Sequence, residues 1–97
     1  MRIVETIEFS RWIDHLRDSV GKARIISRIS RLADGNPGDH RYLTRGVAEL
    51  RINFGPGYRV YYARKGLSLV LLLAGGDKST QARDVLRAIA LAEDFEE

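Results

Sequence analysis

Ninety-seven residues, 44% of them hydrophobic and 30% charged, suit one folded core and are too apolar for an intrinsically disordered chain. The absence of cysteine excludes a disulfide scaffold, a thiolate zinc site and a thiol nucleophile, and two well-separated histidines, His15 and His40, argue against an all-histidine metal centre. The formal charge of +3 is uneven: residues 41–65 carry six basic side chains against Glu49 alone, whereas residues 84–97 carry five acidic ones against Arg87. The longest strictly apolar run, Leu69 to Ala74, is too short to cross a bilayer. The opening Arg2-Ile3-Val4-Glu5 is unlike a signal peptide. One cytoplasmic domain over residues 1–97 is expected, with no membrane contact.

In chain order, Met1 to Glu5 reads as a short strand. Phe9, Trp12, Ile13, Leu16 and Val20 then recur at the spacing of an amphipathic helix, capped by Thr6 or Ser10 and stopped by Gly21. A second helix follows almost at once, with Ile25, Ile26, Ile29, Leu32 and Ala33 inward and Lys22, Arg24, Arg28 and Arg31 on a solvated outer face. Asp34-Gly35-Asn36-Pro37-Gly38-Asp39 is the main loop. Beyond it the period falls to two: Ala48, Leu50, Ile52 and Phe54 alternate with polar residues, as do Tyr58, Val60 and Tyr62, around a Gly55-Pro56-Gly57 turn. Leu67 to Ala74 predicts a strand buried on both faces and ended by Gly75-Gly76. Ala82, Val85, Leu86 and Ile89 form a last helix, capped by Asp77, Ser79 or Thr80. The predicted order β-α-α-β-β-β-α is an α+β fold, a mostly antiparallel sheet packed against a helical hairpin and a C-terminal helix.

Two constellations carry chemistry. If residues 55–57 alone form the hairpin loop, Arg51, Asn53, Arg59 and Tyr61 share the polar sheet face, and Arg51 and Arg59 are diagonal neighbours about 7–8 Å apart. Two guanidiniums that close call for an anion between them, and their planar forks match phosphate. The second constellation is Gly75-Gly76-Asp77-Lys78-Ser79-Thr80: glycines permit close backbone approach, a helix N-terminus favours an anion, and Lys78 adds a mobile charge. Its spacing is not that of a P-loop. Elsewhere the bland readings prevail. His15 is structural, His40 a surface residue, Trp12 core or partner-contacting, and the acidic tail from Glu93 to Glu97 a solvated segment.

Gly46-Val47-Ala48-Glu49-Leu50-Arg51, then Gly55-Pro56-Gly57-Tyr58-Arg59-Val60-Tyr61-Tyr62, then Leu71 to Ser79 around Gly75-Gly76-Asp77-Lys78, together resemble the RelE/ParE toxin superfamily. More narrowly they are similar to its phage-derived addiction module killer protein branch, related to HigB-type toxins. The resemblance covers essentially the whole chain, Thr6-Ile7-Glu8-Phe9 and Trp12-Ile13 included. It implies a RelE-like fold and the toxin of a type II toxin–antitoxin module, acting as a ribosome-dependent endoribonuclease on mRNA without metal or cofactor. The implied partners are the ribosome with its mRNA and an antitoxin, commonly a helix-turn-helix protein, with operator DNA reached only through the antitoxin complex. ParE-type relatives instead poison DNA gyrase by binding. On the nuclease reading Arg59, then Arg51, with Lys78, would stabilise the phosphorane, and Tyr61 would stack on a base or donate a proton. Arg41, Arg45, Asn53, Arg64 and Lys65 would bind RNA. The general base has no histidine to fill it, which leaves Lys78 or Asp77.

Overall fold

A computed structural model describes residues 1–95; Glu96 and Glu97 of the acidic tail lie outside the described residues. Strands β1 (Arg2–Glu5), β2 (His40–Thr44), β3 (Val47–Ile52), β4 (Tyr58–Lys65) and β5 (Leu69–Asp77) form one sheet in the order β1-β5-β4-β3-β2. Among the described residues only the β1–β5 pair is parallel. Helices α1 (Ile7–His15) and α2 (Ser19–Ala33) cover one face, and α3 (Gln81–Asp94) covers part of the other. The expected α+β architecture is therefore present, with one strand more than predicted. Among the described residues no helix is long and apolar enough to cross a membrane.

The extra strand, β2, escaped the sequence because four of its five residues are exposed. An open edge strand needs no apolar alternation, so its sequence carries no period to read. The two helices also divide earlier than their apolar spacing predicts. Thr6 caps α1, its hydroxyl accepting the Phe9 N–H, and the helix ends at His15. Asp18 then caps a new helix by accepting the Gly21 N–H at 2.9 Å. Val20 therefore belongs to α2 and is exposed, and Ile26 also points outward.

Gly21 does not stop a helix; it is buried in the first turn of α2. A Cβ there would lie 2.6 Å from both Asp18 Oδ2 and a Tyr58 ring carbon. The absent side chain lets the Tyr58 hydroxyl reach Asp18 at 2.8 Å. Burial, followed by that carboxylate, pushes the Tyr58 phenol up to about 12. The Gly21 N–H and then the Tyr58 hydroxyl hold the Asp18 carboxyl below its usual range.

The core has two parts because the central strands are buried on both faces. Ala48, Leu50, Ile52, Tyr58, Val60, Tyr62, Val70 and Leu72 meet Phe9, Ile13, Ile25 and Leu32 of the helical hairpin. Val47, Tyr61, Ala63, Leu71 and Leu73 meet Ala88 of α3. β5 does not end at Gly75-Gly76 but runs through them to Asp77. At Gly75 a Cβ would fall 2.1 Å from the Trp12 ring, and at Gly76 it would fall 1.9 Å from Asp84 Oδ2. The two glycines thus admit α1 from one side and α3 from the other.

Candidate functional site

The β3–β4 register places the two arginines more tightly than the sequence suggests. Arg51 pairs directly with Arg59 and Ile52 with Tyr58, so residues 53–57 make a five-residue connection and the diagonal pairing is replaced by a direct one. Both faces keep their residues, because the register moves by an even number. Like charges directly opposite are unfavourable in a sheet, so each guanidinium needs compensation.

Arg51 obtains it from Asp39: its Nε and Nη2 both donate to Asp39 Oδ1, at 3.1 and 2.8 Å. Arg59 turns back on its own hairpin, its Nη1 donating to the Gly57 and Tyr58 carbonyls at 3.1 and 3.2 Å, while its buried Nε has no partner among the described residues. Gly57, at φ +81°, lets the Lys78 stem lie close by, a Cβ there being 3.4 Å from Lys78 Cβ. Asp39, Arg51, Asn53, Gly57, Arg59 and Lys78 together line an open cleft of about 210 Å³. Three cations against one carboxylate leave it strongly electropositive, and Lys78 makes no ion pair among the described residues.

Arg28 builds this cleft from behind. Its Nη1 donates to the Arg51 carbonyl at 2.7 Å, and its Nη2 donates to the Pro37 and Asp39 carbonyls, each at 2.8 Å. One guanidinium thereby ties the end of the loop to β3, bringing Asp39 beside Arg51. Burial, then the neighbouring Arg31, pushes the Arg28 pKa below its ordinary value. Arg28 is therefore a half-buried strap and not simply part of a solvated face, and sequence reasoning missed the role of both it and Asp39. The run of glycine and proline before Asp39 signalled a turn, but only the unrecognised strand β2 sets Asp39 in line with Arg51.

Other expected residues are placed differently. Tyr61 is fully buried under α3, and its hydroxyl has no hydrogen-bond partner among the described residues. Burial, then the Glu49 and Asp84 carboxylates, pushes its phenol well above the usual range. It cannot stack on a base from there, and its high pKa makes it a poor proton donor. Arg45 is drawn to Glu93 at 2.9 Å in the β2–β3 turn. Since Val47 pairs with Ala63, Arg45, Arg64 and Lys65 lie at the end of the sheet away from the Arg51–Arg59 pair. Arg41 pairs with Glu49 on the exposed edge strand and does not line the cleft. Asn53 does line it. Asp77 caps the 3-10 turn Lys78–Thr80, accepting from the Ser79 N–H and hydroxyl, and these bonds lower its carboxyl pKa. That engagement suits a cap better than a general base.

His15 and His40 are both exposed and bonded to the Arg11 and Gly38 carbonyls. Trp12 packs against Phe9 and Tyr58, within the hairpin core. Among the described residues no group of three or more His, Asp or Glu is placed to hold a metal ion.

The model of the phage-derived Gp49-like protein family matches residues 11–95 of this sequence. The chain belongs to that family. It is a toxin-like family related to the RelE and HigB-type toxins. An uncharacterized protein of Haemophilus influenzae is 45% identical over 95 residues, an alignment covering 98% of this chain and 96% of the relative. Arg51, Asn53, Gly57, Arg59 and Lys78 all fall within the family match, as do Asp39 and Arg28.

Proposed function

We propose that this chain is the toxin of a type II toxin–antitoxin module, acting in the cytoplasm as a ribosome-dependent endoribonuclease on mRNA. The observation that carries the reading is the directly opposed Arg51–Arg59 pair, opening with Lys78 into one cleft. Such a cleft suits the charge that accumulates on phosphorus when a ribose 2′-oxygen attacks the adjacent phosphate. The attack forms the P–O2′ bond, breaks the P–O5′ bond and leaves a 2′,3′-cyclic phosphate. Arg59 and Arg51 take the non-bridging oxygens, Arg59 through Nη2, the terminal nitrogen that its bonds to the Gly57 and Tyr58 carbonyls leave free among the described residues. Asp39, the one carboxylate lining the cleft among the described residues, accepts the 2′-proton on Oδ2, the oxygen that its bonds from Arg51 leave free. The Lys78 ammonium donates to the leaving 5′-oxygen. Substrate alignment by the ribosome would reduce what so small a site must supply.

An antitoxin, expected to be a helix-turn-helix protein, would neutralise the toxin, and operator DNA would be met only through their complex. A cleft of this charge fits an acidic antitoxin segment as well as RNA. Contact of that kind weakens with added salt.

Brief expression followed by mapping of mRNA ends, beside an assay of DNA gyrase supercoiling, tests the reading. Transcript ends clustered within translated codons are expected. Intact message with inhibited gyrase would replace the nuclease by a ParE-like binding poison.

A further inference from the structure

A second basic cleft, of about 220 Å³, opens between α2 and the β3–β4 connection, lined by Arg24, Ser27, Arg28, Arg31, Asn53 and Phe54. Asn53 also lines the cleft that holds Arg51, Arg59 and Lys78, so the two adjoin at one exposed residue. Among the described residues no acidic side chain lines the second cleft. Arg28 commits both terminal nitrogens to backbone carbonyls, whereas Arg24 and Arg31 are exposed and make no ion pair among the described residues. The Arg24 guanidinium sits over the Phe54 ring, 4.5 Å from its centroid. An aromatic ring that holds an arginine at the mouth of a basic groove makes a platform on which an unpaired base can stack.

We propose that this second cleft is a subsite for the nucleotide next to the one being cleaved. Arg31 takes that nucleotide's phosphate, and the Arg24–Phe54 pair takes its base. The strand crosses from one cleft to the other over Asn53. The proposal rests on the reading of the first cleft as an RNA site and extends it to at least one further nucleotide. It also gives the basic face of α2 a role beyond solubility. Single-stranded RNA is favoured over an acidic peptide because a stacking platform and phosphate-matched guanidiniums occur together.

The test uses the full-length chain without ribosomes and two non-cleavable probes, 2′-O-methyl oligonucleotides of three and eight nucleotides. Affinities are measured across a salt series, with an octaglutamate peptide as the competing ligand class. The native chain should bind the longer oligonucleotide more tightly than the shorter one and more tightly than the peptide. The double variant Arg24→Ala/Arg31→Ala should lose roughly 5- to 50-fold for the longer probe and less than about twofold for the shorter. Its salt slope for the longer probe should fall by about 0.7 per lost phosphate contact, a change that a merely structural role would not produce. Unfolding measured in parallel should match the native chain.

Equal losses for both probes, no loss for either, peptide binding as tight as RNA binding, or no RNA binding by the native chain each overturns the subsite. If expressed native chain cleaves message while the double variant binds the longer probe normally, the subsite alone fails. Intact message in cells arrested by the native chain removes both readings.

Discussion

Two rows of the same sheet face, two residues apart on the same strands, have opposite fates. The Glu49–Tyr61 pair is fully buried, with Gln81 of α3 donating to both Glu49 oxygens at 3.0 and 3.4 Å. Next to it the Arg51–Arg59 pair remains open, bordered by Lys78. Nothing in the alternation separates these rows, since all four side chains point to the same side. What separates them is where the cover begins: the Asp77-capped turn and the first residues of α3 close over Glu49 and Tyr61 and leave the next row to solvent. A strand's period selects a face. A neighbouring element decides which part of that face becomes core and which becomes a site.

The sharpest way to break this comparison is to remove charge from the open row. Arg59→Ala should reduce message cleavage by about 10²–10³-fold, and Lys78→Ala somewhat less, as expected for donors aimed at developing negative charge. Chemical denaturation should show a stability change of about 1 kcal/mol or less in Arg59→Ala, because losing one of two facing arginines also relieves repulsion. Growth arrest by a folded Arg59→Ala variant would sink the assignment. Asp39→Asn keeps the shape of the cleft but removes its base, and a loss of about 10²-fold is expected. An unchanged rate after single-turnover assay on programmed ribosomes would show that the proton goes elsewhere.

Next in size are changes to the cover itself. Gly76→Ala drives a methyl into Asp84, which also accepts from the Thr80 hydroxyl at 2.5 Å, and Gly75→Ala drives one into Trp12. Each should cost about 1–3 kcal/mol in equilibrium unfolding. A neutral result would mean that α1 or α3 can shift without loss.

A smaller effect belongs to the hairpin side. The Tyr58 phenol is raised from 10.0 to about 12 in the folded chain, so its neutral form is the one that folding favours. Its contribution should be complete below pH 10 and disappear as pH rises towards 12. The Asp18 carboxyl is shifted the other way, so its contribution holds above its ordinary value of 3.8 and is lost as pH falls below it. Stability measured against pH should follow this pattern in the native chain, whereas Tyr58→Phe should lose the alkaline fall and show a shallower acid one. Smallest of all should be Tyr61→Phe, which deletes a buried hydroxyl with no partner among the described residues and should be neutral or slightly stabilising, with cleavage retained. Loss of cleavage in a folded Tyr61→Phe protein would put the covered row back into the chemistry.

The amino-acid sequence by itself determined the α+β class, the apolar faces of both central strands and the grouping of Arg51, Asn53 and Arg59 on one side. These follow from side-chain period alone and survive an even error of register. It also signalled Lys78 beside the sheet end, because glycines and a capping residue surround it. Only the tertiary structure decided that β2 exists, that Asp39 meets Arg51, and that Tyr61 lies under α3 instead of in the cleft. Each of these depends on which distant segment packs where. An exposed edge strand has no apolar signature, a carboxylate's partner twelve residues away leaves no local trace, and the start of a helix's cover is set by packing against a strand pair formed elsewhere in the chain.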